Sequence, residues 1–295
     1  MGGFYTRYRQ ALAMPRASNP APNRRRGWLA VNANASLLAL AGWMRNHVVS
    51  FNGVQEAGVK SVTFFKSGAE VASEDILRME VQRARHVMAL LMEKLGAEGM
   101  VNVFAKEIAE HESNERDWAQ RAKGRFSSSV AEAHVAVGDG AAFMKWFWEG
   151  YGGPNSPAML RAHPEHLGAL PLSDGRVGIL EVPGHTKLPA LLKLRHLDNW
   201  DGIPIELVPD MPHRMMGRIE SPDGETVGYL LHQFKDTSPG FDARLEIYWP
   251  ATAPDELVRG HADHLMVEWH NWFELYAVTR TQPKDLMPLA LSVTA

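Results

Sequence analysis

The stretch from Arg176 to Trp249 constrains the fold of this chain more than any other part of its sequence. Strand-forming runs over residues 176–182, 203–208, 215–220, 226–235 and 243–249 are separated there by turn residues. In the last run Ala243, Leu245, Ile247 and Trp249 alternate with Arg244, Glu246 and Tyr248. That is the period-two pattern of a strand with one face on a core. Ser221-Pro222-Asp223-Gly224 is a tight-turn sequence that sets the two flanking runs up as a hairpin. An antiparallel sheet is therefore expected, with one face to bury. A partner follows directly, because Thr252 can cap, and Pro254 open, a helix that extends to about Tyr276. The class is α+β.

The N-terminal part reads differently. Residues 1–26 are Arg-rich without an acidic side chain, and Pro15, Pro20 and Pro22 break any helix, so they form a flexible basic leader. Arg24-Arg25-Arg26-Gly27-Trp28-Leu29, ending in Ala39-Leu40-Ala41, has the parts of a twin-arginine export signal, although Asn32 and Asn34 interrupt its apolar region. Cytoplasmic residence with a plain N-terminal helix is the first expectation and export the alternative. No segment reaches the roughly 18 apolar residues that a membrane span requires. A helical region is expected over 27–125, with Ser73 as N-cap and Ile76, Leu77, Ala84, Val87, Met88 and Leu91 at helical spacing. Gly96 stops that helix, and a second runs from Glu98 to about Arg121. On the second, Glu107, Glu110, His111, Glu112 and Glu115 read as a solvated face, and they lack the Glu-x-x-His spacing of a di-iron bundle. Residues 124–129 read as a linker, 140–280 as the sheet-and-helix domain and 281–295 as a tail.

Composition narrows the chemistry. A formal charge of −3 over 295 residues offers no basic face for nucleic acid or an anionic membrane. Cysteine is absent, so disulfides, thiolate metal sites and cysteine nucleophiles are excluded, and any metal must be held by His, Asp, Glu or water.

The last helix carries two His-x-x-x-Glu pairs, His264 with Glu268 and His270 with Glu274. At about 100° per residue, His264, Leu265, Glu268 and Trp272 fall within about 60° of His261, whereas His270 and Glu274 fall on the opposite side. A carboxylate on an apolar face is costly to bury unless it is paired, hydrogen-bonded or metal-bound. His264 with Glu268 is thus either a buried ion pair or half of a metal site. Glu181, a lone acid in Gly178-Ile179-Leu180-Glu181-Val182, is the expected donor from the sheet.

Four places, spread over residues 142–277, resemble the 2,4-diacetylphloroglucinol hydrolases and related phloretin hydrolases. They are Phe143-Met144-Lys145-Trp146-Phe147-Trp148, Leu160-Arg161-Ala162-His163-Pro164, the stretch from His232-Gln233-Phe234-Lys235-Asp236-Thr237 through Gly240, Arg244 and Trp249, and His264-Leu265-Met266-Val267-Glu268-Trp269. The resemblance implies a helix-grip, START-like fold, a curved antiparallel sheet wrapped on a long C-terminal helix. It also implies a zinc ion (or another divalent metal) held by two His and two Glu. His264, Glu268 and Glu181 take three of those places. The family's remaining His falls where this chain has Tyr151, so Tyr151, His163 and His185 are open alternatives for the fourth ligand, as is loss of the metal.

The activity so implied is hydrolysis of a carbon–carbon bond in an acylated phenolic or cyclic polyketide-like molecule. A His or Tyr delivers a proton to the departing ring carbon, and Tyr229, His232, His163 and Tyr151 are the candidates. Tyr229 and His232 lie on opposite faces of one strand, so only one can line a pocket. The Trp-rich run would supply the wall that stacks a planar ring. The implied partner is a small aromatic substrate, with homodimerisation an open question. The rivals are a metal-free small-molecule binder and a metal-free cyclase or dehydratase that uses His264 and Glu268 as an acid–base pair.

Overall fold

The computed structural model describes residues 63–151 and 156–281. The basic leader, the export-signal candidate and the expected tail beyond Thr281 lie outside them. The chain divides into two units after Glu70. A short exposed hairpin, β1 (Phe64–Lys66) and β2 (Ala69–Val71), falls at the division, and the account below concerns the second unit.

Two long helices come first, α1 (Ser73–Val103) and α2 (Ala105–Ala122). Ser73 is the first helical residue and Ala72 precedes it with no side-chain cap. Gly96 interrupts α1 in the left-handed region at φ 66°, so the expected stop is a kink and the helix resumes beyond it. The chain then enters β3 (Phe126–Val135), which occupies most of the expected linker. After β3 come α3 (Gly140–Trp146), a π-helical turn at Phe147–Tyr151, and α4 (Pro157–Ala162). The remaining strands are β4 (His166–Pro171), β5 (Val177–Glu181), β6 (Ala190–His196), β7 (His213–Glu220), β8 (Thr226–Asp236) and β9 (Phe241–Pro250). The chain's last described element is α5 (Asp255–Thr281).

The strands form a seven-stranded sheet in the order β3-β9-β8-β7-β6-β5-β4, antiparallel at every junction. The β7–β8 hairpin turns at Ser221-Pro222-Asp223-Gly224, as the sequence predicts. The expected strand over 203–208 does not form. That segment is a loop, tied by the Trp200 indole donating to the Ile205 carbonyl (2.8 Å) and the Val208 amide donating to Gln233 (3.0 Å). No helix among the described residues is long and apolar enough to cross a membrane.

One face of the sheet buries Phe234, Phe241, Leu245 and Trp249 against Leu257, Leu265, Trp272 and Tyr276 of α5. Phe143 of α3 is fully buried among Phe234, Phe241, Phe273 and Tyr276, with ring centroids 5.1–5.5 Å apart. The aromatic run expected to stack a ligand is thus largely core, with Trp148 the half-exposed exception.

The other face is covered by α1 and α2, where Met100 and Ile108 pack on Leu167 and Leu180. Here a further expectation changes. His111 and Glu115 are buried rather than solvated, their Nε2 and Oε1 3.4 Å apart, because α2 turns this side onto the sheet. Glu112 beside them pairs with Lys193 of β6.

Candidate metal centre

Four elements converge at one end of the sheet. His166 opens β4 and Glu181 closes β5, and the two are register partners across the β4–β5 pair. Their side chains therefore stand side by side on the face that α5 covers. His264 and Glu268 project from α5 one turn apart. The segment His163-Pro164-Glu165 joins α4 to β4, and the Asn271 amide of α5 donates to Ala162 O at 2.8 Å, fixing the end of α4 beside the helix.

The two imidazoles point their Nε2 atoms at each other, 3.2 Å apart. The other nitrogen of each is committed. His166 Nδ1 is 2.8 Å from the Met159 carbonyl oxygen, which only accepts, so Nδ1 carries the proton and Nε2 presents a lone pair. His264 Nδ1 lies 3.1 Å from a Glu165 carboxylate oxygen. One Glu181 oxygen is 3.7 Å from His166 Nε2 and 3.8 Å from His264 Nε2, and one Glu268 oxygen is 3.8 Å from His166 Nε2. Two zinc–nitrogen bonds of about 2.05 Å at a tetrahedral angle separate the nitrogens by about 3.3 Å. The nitrogens are already at that spacing, and Glu181 needs to move in by a few tenths of an ångström. The ligand atoms of His166, Glu181 and His264 all lie within 4.8 Å of one another, while Glu268 stands outside that group and would have to swing further in.

The electrostatics match a site built for positive charge. Glu181 is buried, its second oxygen has no hydrogen-bond partner, and its proton affinity is raised. Desolvation is the main cause, opposed by His264 and His166 and reinforced by Glu268 and Glu165. Burial alone pulls the His264 pKa down, but Glu181, the Glu165 hydrogen bond and Glu268 outweigh it and lift the value to about 9. His163 lies on the face of His264 with ring centroids 3.7 Å apart, and His261 stacks on the other side at 4.8 Å. Both flanking rings are held neutral. Burial, then the neighbouring imidazoles, push His163 down to about 2 and His261 well below its usual range.

His264, Glu268 and Glu181 come together as the sequence suggests, but the intrahelical ion pair does not form. Glu268 turns to His166 and to the Trp272 indole (3.5 Å), and His264 to Glu165 and His166. Of the open alternatives for the fourth position, His185 is exposed and paired with Asp263, and His163 lies on His264 with its Nδ1 accepting the Glu165 amide. The Tyr151 side chain lies outside the described residues. The residue in place is His166, which sequence reasoning passed over although it stands in His163-Pro164-Glu165-His166. A strand assigned to His166-Leu167-Gly168-Ala169-Leu170 reaches Glu181 only once it is registered against β5. Among the proton donors, Tyr229 is placed on the opposite face of the sheet against Phe126 and Trp200, away from the centre. His232 is on the α5 face, buried against Trp269 (4.7 Å) with Nδ1 accepting the Glu246 amide, and burial lowers its pKa to about 3. His270 and Glu274 are exposed. A groove of about 370 Å³ runs between β3 and α5, lined by Ala131, Val135, Leu245, Met266, Trp269 and Phe273 among others.

No family model matches the chain, and no curated protein does. A solved structure of an uncharacterized protein from Rhizobium leguminosarum is similar over 52% of this chain and 96% of its own, at 12% identity and a TM-score of 0.27.

Proposed function

We propose that this chain is a metal-dependent hydrolase in which His166, Glu181, His264 and Glu268 hold one divalent ion of the zinc class. The observation that carries the reading is the pair of Nε2 atoms 3.2 Å apart, each ring with its Nδ1 tied to an acceptor, with buried Glu181 and partly buried Glu268 beside them. Two imidazoles and two carboxylates are a donor set that such an ion accepts, and two carboxylates sharing a buried site need a dication more than they need one imidazolium. When bound, the ion supplies Lewis acidity toward a carbonyl and a lowered pKa for water. The chain's own part is to hold the donors rigidly and keep the site dry. Of the proton-transfer candidates His163 is the one seated on His264, but with its pKa pushed down to about 2 it takes up a proton poorly, which favours a supporting role for that ring over the proton step.

The finer reading is a helix-grip, START-like fold acting on the carbon–carbon bond of an acylated phenol. The fold part is supported by a sheet whose first strand lies next to its last, with the C-terminal helix across it. The substrate part is supported by the motif resemblance; the groove beside Trp269 has the volume of a small-molecule site, but Glu132, His134, His270 and Glu274 share its lining and none of the four donors does. The metal-free reading has one observation in its favour. An imidazolium at His264 can donate to both Glu165 and His166, in keeping with its raised pKa.

Elemental analysis of the purified chain before and after chelator dialysis separates the two. Close to one zinc-class ion per chain, removable and restorable, is the expected result. A folded protein that takes up no divalent metal sinks the hydrolase reading in favour of a metal-free binder or cyclase. With metal found, release of the acyl group from an acylphloroglucinol, followed by chromatography, tests the substrate class.

A further inference from the structure

Building on the metal reading above, we infer that Glu165 is a positioning residue that presents His264 Nε2 to the ion, holding that ring by its edge with its carboxylate and by its face through His163. The two contacts come from different parts of one residue. The Glu165 carboxylate lies 3.1 Å from His264 Nδ1, while its backbone amide donates to His163 Nδ1 at 3.1 Å. That second bond fixes the tilt of the His163 ring, which lies nearly parallel to His264, 20° between planes, at 3.7 Å. Edge and face together leave His264 a single direction in which to offer Nε2, and His166 Nε2 marks where it points.

The two ligand imidazoles are not equivalent. His166 leans on a neutral acceptor, the Met159 carbonyl. His264 leans on a carboxylate, which draws its Nδ1 proton and makes Nε2 the stronger donor. His163, Glu165 and His264 are close enough to be read as a separate three-donor ion site, but their hydrogen bonds argue otherwise. The His163 Nδ1 lone pair is taken by the Glu165 amide, and His264 Nδ1 is the edge that Glu165 grips. This trio therefore serves the His166, Glu181 and His264 group from behind. Glu165 is also its half-exposed member, with 40% of its side chain open to solvent, so it can be changed without emptying the core.

The test is Co(II) binding to the full chain, read from the visible absorption bands of the ion, with Zn(II) competition to give affinity. In the wild type one ion is expected. In Glu165→Gln the stoichiometry stays at one, zinc affinity falls about 10- to 100-fold and the Co(II) bands shift, since outer partners of ligating imidazoles carry effects of that size. Glu165→Asp keeps the charge but shortens the reach, and its affinity falls between the two, which guards against a misfolded Gln variant. Unchanged affinity and spectrum in Glu165→Gln overturns the positioning role while leaving the metal reading intact. Two ions in the wild type and one in Glu165→Gln shows instead that Glu165 is a ligand of its own site, and also overturns it. A wild type that takes up no Co(II) removes the metal reading and this inference with it.

Discussion

At the scale of single residues, Glu181 concentrates the energetic question. It is buried with one oxygen lacking a hydrogen bond, and its carboxylate is stable there only beside positive charge. Glu181→Gln and His166→Ala are each expected to abolish stoichiometric metal uptake, while His185→Ala and His270→Ala, both exposed positions, leave it unchanged. Metal retained in His166→Ala would show that the donor set has been drawn wrongly. His232 makes a separate prediction about acid. Its folded-state pKa near 3 lies below the ordinary 6.5 because burial disfavours the imidazolium. Between those two values the unfolded chain binds a proton that the folded chain refuses, so stability falls as the pH drops from 6.5 toward 3. One such group contributes a slope of roughly 1.4 kcal/mol per pH unit. His232→Gln, whose amide oxygen can still accept from the Glu246 amide, is expected to flatten urea-derived stability against pH by about that slope, and an unaltered slope would refute the assignment.

At the scale of elements, the join between the β5–β6 loop and α5 sets how far Glu181 stands from His264. Gly184, at φ 62°, packs so closely on the helix that an added Cβ would lie 2.5 Å from the Leu257 carbonyl, and a Cβ on Gly260 would collide with the His185 amide. Gly184→Ala and Gly260→Ala should therefore push the loop off the helix, costing about 1–3 kcal/mol in urea unfolding and weakening Co(II) uptake together. Stability lost with uptake intact would mean that the loop does not gauge the site. Phe143→Ala opens a cavity where α3 enters the core, and a loss of about 3–5 kcal/mol is expected in the same measurement. How far the elements were legible follows from whether their signal is local. β5, β7, β8, β9 and α5 announce themselves by alternation, a turn sequence and a helical period. β3 does not, because Ser127-Ser128-Ser129 resembles a linker until β9 pairs with it, and the Ser129 hydroxyl gains its place by donating to the Val258 carbonyl and accepting from the Trp249 indole. The helix half of the site was legible for the same reason, since 100° per residue puts His264 and Glu268 on one face. His166 was not, because its neighbour is assigned by strand register, which no short window of sequence contains.

At the scale of the whole molecule, an ion held as proposed and binding only the folded chain would tie β4, β5 and α5 together and raise stability by mass action. At free metal about 100 times the Kd the gain is about 2.7 kcal/mol, on the order of 5–10 °C in Tm for a unit of this size. A thermal scan with and without chelator measures it, and coincident curves would mean that no such tie exists. The sheet order has a consequence of its own. The first strand of the sheet, β3, is hydrogen-bonded to the last, β9, and α5 closes over both afterwards. During synthesis, then, β3 leaves the ribosome with an unpaired edge and waits until β4 to β8 have been made before its partner β9 exists. Closure is a late, long-range event, in the range of milliseconds to seconds or slower once the chain is free. Until then, the exposed β3 edge is where a chaperone has most to protect, or a second nascent chain most to capture.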